Sequence, residues 1–508
     1  MPGPGVISAS MLYAHLTCPH RVSMDAHVDP ALRDPVNPFV EMLWDRGTIY
    51  EAEVIGRVGR PFLDLSALKG DEKEQATRAA IARREPLIYS GRLSDAELLG
   101  VPDLLRLEDG GYVAIDIKSG AGAEFLSEDD SDDAPSRPKK TYGVQLALYT
   151  DLLSRLGVSA GGYGYIWDVY GAEVRYDLTA PLGPRSPSLW EVYLQTRQAV
   201  GEALSRPGAT RPAMASICKP CVWRTACTTT LRESDDLTLL PELGRAKRDV
   251  LAAQFPTVRD LAVANLERFF VPGGRKTTFR GIGPDMLRKF QRRAALAQQK
   301  DPQPYLRSPW TARSADVELF LDVETDPLRD WCYLHGVVIR DFTQAGRERF
   351  EASWMESLTP MAERDAFASV WALIQSRPDA VIYVYSAYER TQYRKLASRY
   401  PDVCAVEAVD ALFAKGGRVI DLYYGVVRPS TEWATEDFSI KTLAKRLGFK
   451  WRDSDPSGAS SIQWFDEWAR TGNATVKQRI LDYNEDDCIA MRVLLEGIKR
   501  LPVRPMTG

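Results

Sequence analysis

The sequence predicts a multidomain α/β protein, and three observations carry that expectation. The chain has 508 residues, too many for one hydrophobic core, so two or three domains are expected. Short apolar β-like runs alternate with helical patterns in the first third and again from Asp316 onward, whereas 236 to 300 shows helix-like apolar spacing broken by glycine. Charge follows the same division. Residues 241 to 300 hold 13 Lys and Arg against 5 Asp and Glu, in a chain whose formal net charge is −4. A basic middle between acidic flanks keeps a polyanion partner in view. The expected boundaries are 1–235, 236–305 and 306–508.

Hydrophobic content of 44% with 26% charged residues describes a globular protein. No apolar run of membrane-spanning length appears, and "MPGPGVISAS" lacks a basic segment followed by an apolar one, so no membrane and a cytoplasmic location are expected. In that compartment a tight group of cysteines reads as a metal site rather than a disulfide framework. The stretch "SEDDSDDAPSRPKK" is acidic, then basic, without a large apolar residue, and is expected to be a mobile loop. "DPQPYLRSPW" reads as a linker into the C-terminal part.

In the first part, "GVPDLLRLEDGGYVAIDIKSG" reads as two strands joined by an "EDGG" turn. Asp103 falls on the first; Asp116 and Lys118, two apart, share a face of the second. Two carboxylates and an ammonium at a strand end can hold Mg²⁺ or Mn²⁺, activate water and offset charge on a phosphate. Further on, "QLALY" puts Gln145 and Tyr149 on one helical face. The ordered set D, DxK, QxxxY resembles the PD-(D/E)XK nucleases of the RecB and AddB type, whose fold is restriction-endonuclease-like. The resemblance implies that Asp103 and Asp116 bind metal, that Lys118 assists catalysis, and that Gln145 and Tyr149 position DNA and active-site groups. One departure stands out. Where that family often carries a metal-binding His, "RGTIYEAEV" has Tyr50, with Glu51 next to it as a replacement ligand.

Three of the seven cysteines, Cys218, Cys221 and Cys227, fall within "CKPCVWRTAC", and Cys18 lies some 200 residues upstream. One Cys before the nuclease core and a CxxCxxxxxC group after it resembles the RecB-like nucleases that carry an iron–sulfur cluster. Four thiolates suit a 4Fe–4S cluster and Zn²⁺ alike, so zinc stays open as the alternative. Cys332, Cys404 and Cys488 have no ligand spacing and are expected in the core.

In the middle, "GIGPDMLRKFQRRA" leads from a turn at Gly281 and Gly283 into a helix with Arg288, Lys289 and Arg292. Glycines at such a turn let backbone N–H groups approach a phosphate. The segment resembles a helix-hairpin-helix DNA-binding element, and "LPELGRAKRDVL" a second one, with Glu242 where its first Gly is expected.

In the last part, "LFLDVETDP" places Asp322 and Glu324 on one face of a strand, followed by Glu389, Asp421, and Tyr483 four residues before Asp487 in "LDYNEDDCIAM". The ordered set resembles the DEDD exonucleases of the RNase H-like fold, of the DnaQ and YprB type. That resemblance implies metal binding by Asp322, Glu324 and Asp487, water orientation by Tyr483, and Glu389 in the place of the usual Asp. It assigns Asp421 a structural place.

Together the resemblances imply a metal-dependent DNA exonuclease in repair, recombination or defence. No GxxxxGK[ST] motor is present, so unwinding would come from a helicase in trans. Two other readings stay open: a catalytically weakened nucleic-acid-binding adaptor, and an RNA-processing exonuclease.

Overall fold

The computed structural model describes residues 5–124, 137–273 and 275–504. These separate into two compact units, 1–212 with 216–229, and 213–215 with 230–508. Most of the stretch expected to be a mobile loop lies outside the described residues. Among the described residues no helix is long and apolar enough to cross a membrane.

The first unit opens with two short helices, α1 (Ala9–Thr17) and α2 (Pro19–His27), and a longer one, α3 (Pro38–Gly56). Its sheet contains β1 (Leu63–Asp64), β2 (Leu87–Tyr89), β3 (Leu104–Glu108), β4 (Gly111–Ile117), β5 (Tyr163–Trp167) and β6 (Glu173–Asp177), in the spatial order β6-β5-β4-β3-β2-β1. β4 is buried along its whole length, and its alternation shows why. Tyr112 and Ala114 face a core containing Val144, Leu148 and Leu152 of α4 (Lys140–Arg155), while Ile115 and Ile117 face Tyr50, Val54 and Ile55 of α3. The "EDGG" turn is a two-residue hairpin in which Asp109 (φ 46°) and Gly110 (φ 86°) are both left-handed, as strand twist demands. A further helix, α5 (Leu189–Ser205), starts at a capping box between Ser188 and Glu191.

The second unit begins with a helical segment that has its own apolar cluster, from Leu237 and Leu251 to Leu287, Phe290 and Ala294. Its main helices are α6 (Gly244–Leu251) and α7 (Pro284–Ala297). The expected linker is not free chain: Tyr305–Leu306 forms β7, and Leu306 is buried. After it come β8 (Val317–Asp326), β9 (Trp331–Asp341), β10 (Arg347–Trp354), β11 (Val381–Val384) and β12 (Val419–Asp421), with β13 (Thr431–Glu432) pairing antiparallel to β7. Strands β8 to β12 build a sheet ordered β10-β9-β8-β11-β12, antiparallel on one side of β8 and parallel on the other. Helix α8 (Tyr388–Arg399) follows β11, α9 (Ile440–Arg446) follows β13, and α10 (Ala474–Lys499) closes the unit. Close approach of α10 depends on Gly336 in β9, where a Cβ would stand 1.6 Å from Asn484 Oδ1.

Candidate active sites

Each unit gathers carboxylates at one end of its sheet. In the first, Asp103 directly precedes β3 rather than lying on it, and its Oδ2 accepts the Ile117 N–H at 2.7 Å. Asp116, 2% exposed at the end of β4, forms an ion pair of 2.9 Å with Lys118. Burial, with the Asp116 charge next, drives the Asp103 carboxyl well above its ordinary range. Burial opposes the Lys118 ammonium, but Asp116 and Asp103 outweigh it and raise its pKa, so the lysine stays charged. The Asp103 carboxyl also senses Glu51, which accepts a hydrogen bond from Tyr89 OH at 2.9 Å. Tyr50 turns elsewhere and donates to the backbone carbonyl of Asp168. The His-to-Tyr departure therefore removes a ligand type without placing a phenol among the acids.

Gln145 and Tyr149 project from α4. Gln145 Oε1 is buried without a hydrogen-bond partner, an acceptor left open. Tyr149 is buried, and a Cβ on Gly100 would come within 2.6 Å of its ring. Burial, followed by the Asp116 and Asp103 charges, holds its phenol protonated. Tyr142, at the start of α4, went unnoticed in the sequence, yet its ring lies 5.7 Å from Lys118 Nζ and 5.1 Å from Lys139 Nζ. Only a helix beginning at Lys140 turns that tyrosine toward the lysine.

In the second unit, Asp322, Glu324 and Asp487 offer ligand oxygens all within 4.8 Å of one another. The first two alternate along β8, and α10 brings the third. Burial, reinforced by Asp487, Glu324 and Glu389, lifts Asp322 well above the carboxylate range; burial and Asp487 push Glu324 up to about 8. Carboxyls that burial and mutual repulsion keep from ionising are a receptor for a cation. Around them stand donors that sequence spacing does not reveal. Lys441 Nζ, on α9, reaches Tyr483 OH at 2.9 Å and the Asp487 oxygens at 3.0 and 3.2 Å. Trp451 Nε1 donates to Asp487 at 2.7 Å and Asn484 Nδ2 to Asp322 at 2.6 Å. No local pattern marks these three, because each comes from a different turn or helix face. Tyr483 lies on the α10 face that carries Asp487, as four-residue spacing requires.

Glu389 does not join this group. Its carboxyl lies outside the 4.8 Å set, although its charge is felt at Asp322; it is buried at 3% exposure, with Oε2 unpartnered and its pKa pushed up to about 8, first by burial. Ser386, three residues before it, holds a strained φ of 110°. Asp421 accepts the backbone N–H groups of Ser386, Tyr423 and Tyr424, which is a structural place. Asp486 and Glu485 face away and bind Arg452.

The cysteine-bearing segments meet. Asp34 N–H donates to the Val222 carbonyl at 2.7 Å, Trp223 Nε1 to Asp25 at 2.9 Å, and Thr225 N–H to Asp34 at 2.9 Å. Cys18 sits between α1 and α2, and Cys218, Cys221 and Cys227 occupy two tight turns and the start of a helix. Among the described residues, however, their sulfurs do not form a set within 4.8 Å. Cys332, Cys404 and Cys488 are buried as expected.

In the helical segment, Gly281 adopts φ 74° and Gly283 caps α7. Lys289, expected to contact phosphate, is turned inward, its Nζ 3.1 Å from Glu242. Arg288 lies over the Phe270 ring at 4.6 Å, and Arg292 remains half-buried beside a cavity.

Neither the curated proteins nor the solved structures contain a match to the chain. Residues 30–228 match the family model of the PD-(D/E)XK nuclease superfamily and 319–498 that of the RNase H superfamily, so the chain combines a PD-(D/E)XK nuclease domain with a C-terminal RNase H-superfamily domain.

Proposed function

We propose that the chain is a metal-dependent DNA exonuclease with two hydrolytic centres, one per unit, working in repair, recombination or defence beside a helicase. The observation that carries this reading is the convergence of Asp322, Glu324 and Asp487 within 4.8 Å, next to Tyr483. A bound Mg²⁺ or Mn²⁺ would polarise the phosphodiester and the attacking water. In the C-terminal centre Asp322, Glu324 and Asp487 hold the ion, Asn484 and Trp451 fix two of those carboxylates, and Lys441 fixes Tyr483 so that its hydroxyl can orient water. In the first centre Asp103, Asp116 and Glu51 are the ligands. Lys118, held cationic, faces the phosphate, while Gln145 and Tyr149 position the strand. The four cysteines carry a 4Fe–4S cluster that clasps the N-terminal helices to the end of that unit.

Digestion of end-labelled single- and double-stranded DNA and RNA, with and without Mg²⁺, tests the reading. Asp116→Ala and Asp322→Ala should each remove part of the cleavage and together all of it. Cleavage that survives the double variant sinks the two-centre proposal, and preferential RNA cleavage replaces DNA with RNA as substrate. The isolation of Glu389 from the triad favours a second reading, a nucleic-acid-binding adaptor with weakened chemistry. Binding without any cleavage would establish it. Iron, sulfide and zinc content of anaerobically purified protein decides the cofactor.

A further inference from the structure

A cavity of about 1150 Å³ opens along one side of α7, lined by Arg288 and Arg292 from that helix, Tyr305 and Arg307 from the β7 segment, and Arg504. No residue of either carboxylate centre lines it. Behind it the charges do not balance. Glu432, 0% exposed on β13, meets Arg293 at 3.1 Å and both Arg292 and Arg307 at 3.7 Å. Glu242 is shared by Arg293 at 2.9 Å, Lys289 at 3.1 Å and Arg428 at 2.6 Å. Two carboxylates thus serve Lys289, Arg292, Arg293, Arg307 and Arg428, and three positive charges stay uncompensated within this cluster. The Nε atoms of Arg292 and Arg307 are buried and donate to nothing. Burial and crowding by Arg292 and Arg293 depress the Arg307 pKa even though Glu432 opposes them.

Holding guanidinium groups together, partly out of water and without enough acid, is unfavourable. Such an arrangement is stabilised by an anion that takes the unused N–H donors. Guanidinium presents a planar fork matching phosphate oxygens, which a lysine does not. The cavity exceeds the roughly 300–1,000 Å³ of small-ligand sites, and its walls include apolar side chains such as Met286 and Leu296. Arg504 lies over the Tyr305 ring at 5.1 Å, a flat surface suited to a nucleobase. We propose that this cavity is a strand-binding site in which Arg292 and Arg307 hold successive phosphates of single-stranded nucleic acid, with Arg288 and Arg504 at its rim. It rests on the reading of the chain as acting on nucleic acid. It differs from backbone capture at the Gly281–Gly283 turn in using side chains of α7 and of Arg307, just after β7.

The test uses the full chain carrying Asp116→Ala and Asp322→Ala, so that strands persist, and fluorescence anisotropy of a labelled oligothymidylate over a salt series. Arg292→Gln with Arg307→Gln should weaken binding at least about tenfold near physiological salt and lower the slope of log K against log salt by about 1.4, about 0.7 per lost contact. Arg292→Lys with Arg307→Lys, which keeps the charge and guards against misfolding, should retain the slope while losing affinity. An unchanged slope in a Gln variant that is folded overturns the proposal, as does a thermal shift with inorganic phosphate unaccompanied by any change in strand binding. If the unsubstituted chain cleaves nucleic acid and the slope is unchanged, only this site fails. If it neither binds nor cleaves, the functional reading fails with it.

Discussion

Lys441 sets the balance of charge in the C-terminal centre. Three carboxylates converge there, and its ammonium is the cation that the chain itself places in contact with Asp487 and Tyr483. Lys441→Met should lower kcat by about 10²-fold, in the range seen when one preorganised donor is lost, with KM little changed. Steady-state kinetics in an Asp116→Ala background measures it, and Lys441→Arg should recover part of the loss. Unchanged kcat would leave the lysine a purely structural part. Protonation of Glu324 and Glu389 gives a second prediction. Burial first, then Asp487 for Glu324 and Asp421 for Glu389, puts both near 8 in the folded chain, against 4.5 for an ordinary Glu. Between those values the folded state holds protons that the unfolded state has released. The contribution of these two groups to the stability of the metal-free protein is therefore full below about pH 4.5 and is lost as pH rises toward about 8. The melting temperature, followed across that window, should decline in the wild type and decline less in Glu324→Gln. Adding Mn²⁺ at the alkaline end should raise it in the wild type only.

Packing of whole elements places these groups. Helix α10 reaches β8 because β9 carries Gly336 opposite Asn484. In Gly336→Ala the new Cβ would overlap Asn484 Oδ1 and press on the Phe350 ring at 2.8 Å. Asn484 would leave Asp322, and overpacking should cost about 1–3 kcal/mol. Chemical denaturation should show that loss together with absent Mn²⁺ stabilisation. Gly458→Ala, where a Cβ meets open space at a helix start, should stay within about 1 kcal/mol of the wild type. The β3–β4 hairpin was legible in advance because "EDGG" demands two left-handed residues and alternation fixes which face Asp116 and Lys118 share. The β7 ribbon was not. Its two residues carry no period, and their partners, β13 more than 120 positions on and the chain around Val503, are distant in sequence.

At the scale of the whole chain, the first unit is discontinuous: residues 216–229 return to it after 213–215 have joined the second. That return is held by Asp25 and Asp34, which grip Trp223, Val222 and Thr225. A cluster on Cys18, Cys218, Cys221 and Cys227 would close a loop of about 200 residues, worth about 5 kcal/mol by loop entropy. Cys221→Ser should accordingly lower both iron content and the melting temperature. Loss of iron at an unchanged melting temperature would show that the clasp contributes no stability. The sequence by itself determined the order of modules, the strand-borne acids Asp116, Asp322 and Glu324, and the pairing of Tyr483 with Asp487. All of these depend on the fixed periods of strand and helix, which operate over a few residues. Only the tertiary structure decided that Glu389 stands apart from the triad, that Lys289 faces Glu242, and that Lys441, Trp451 and Asn484 complete the site. Those outcomes depend on which faces meet across tens or hundreds of positions, where burial and charge, rather than spacing, choose the neighbours.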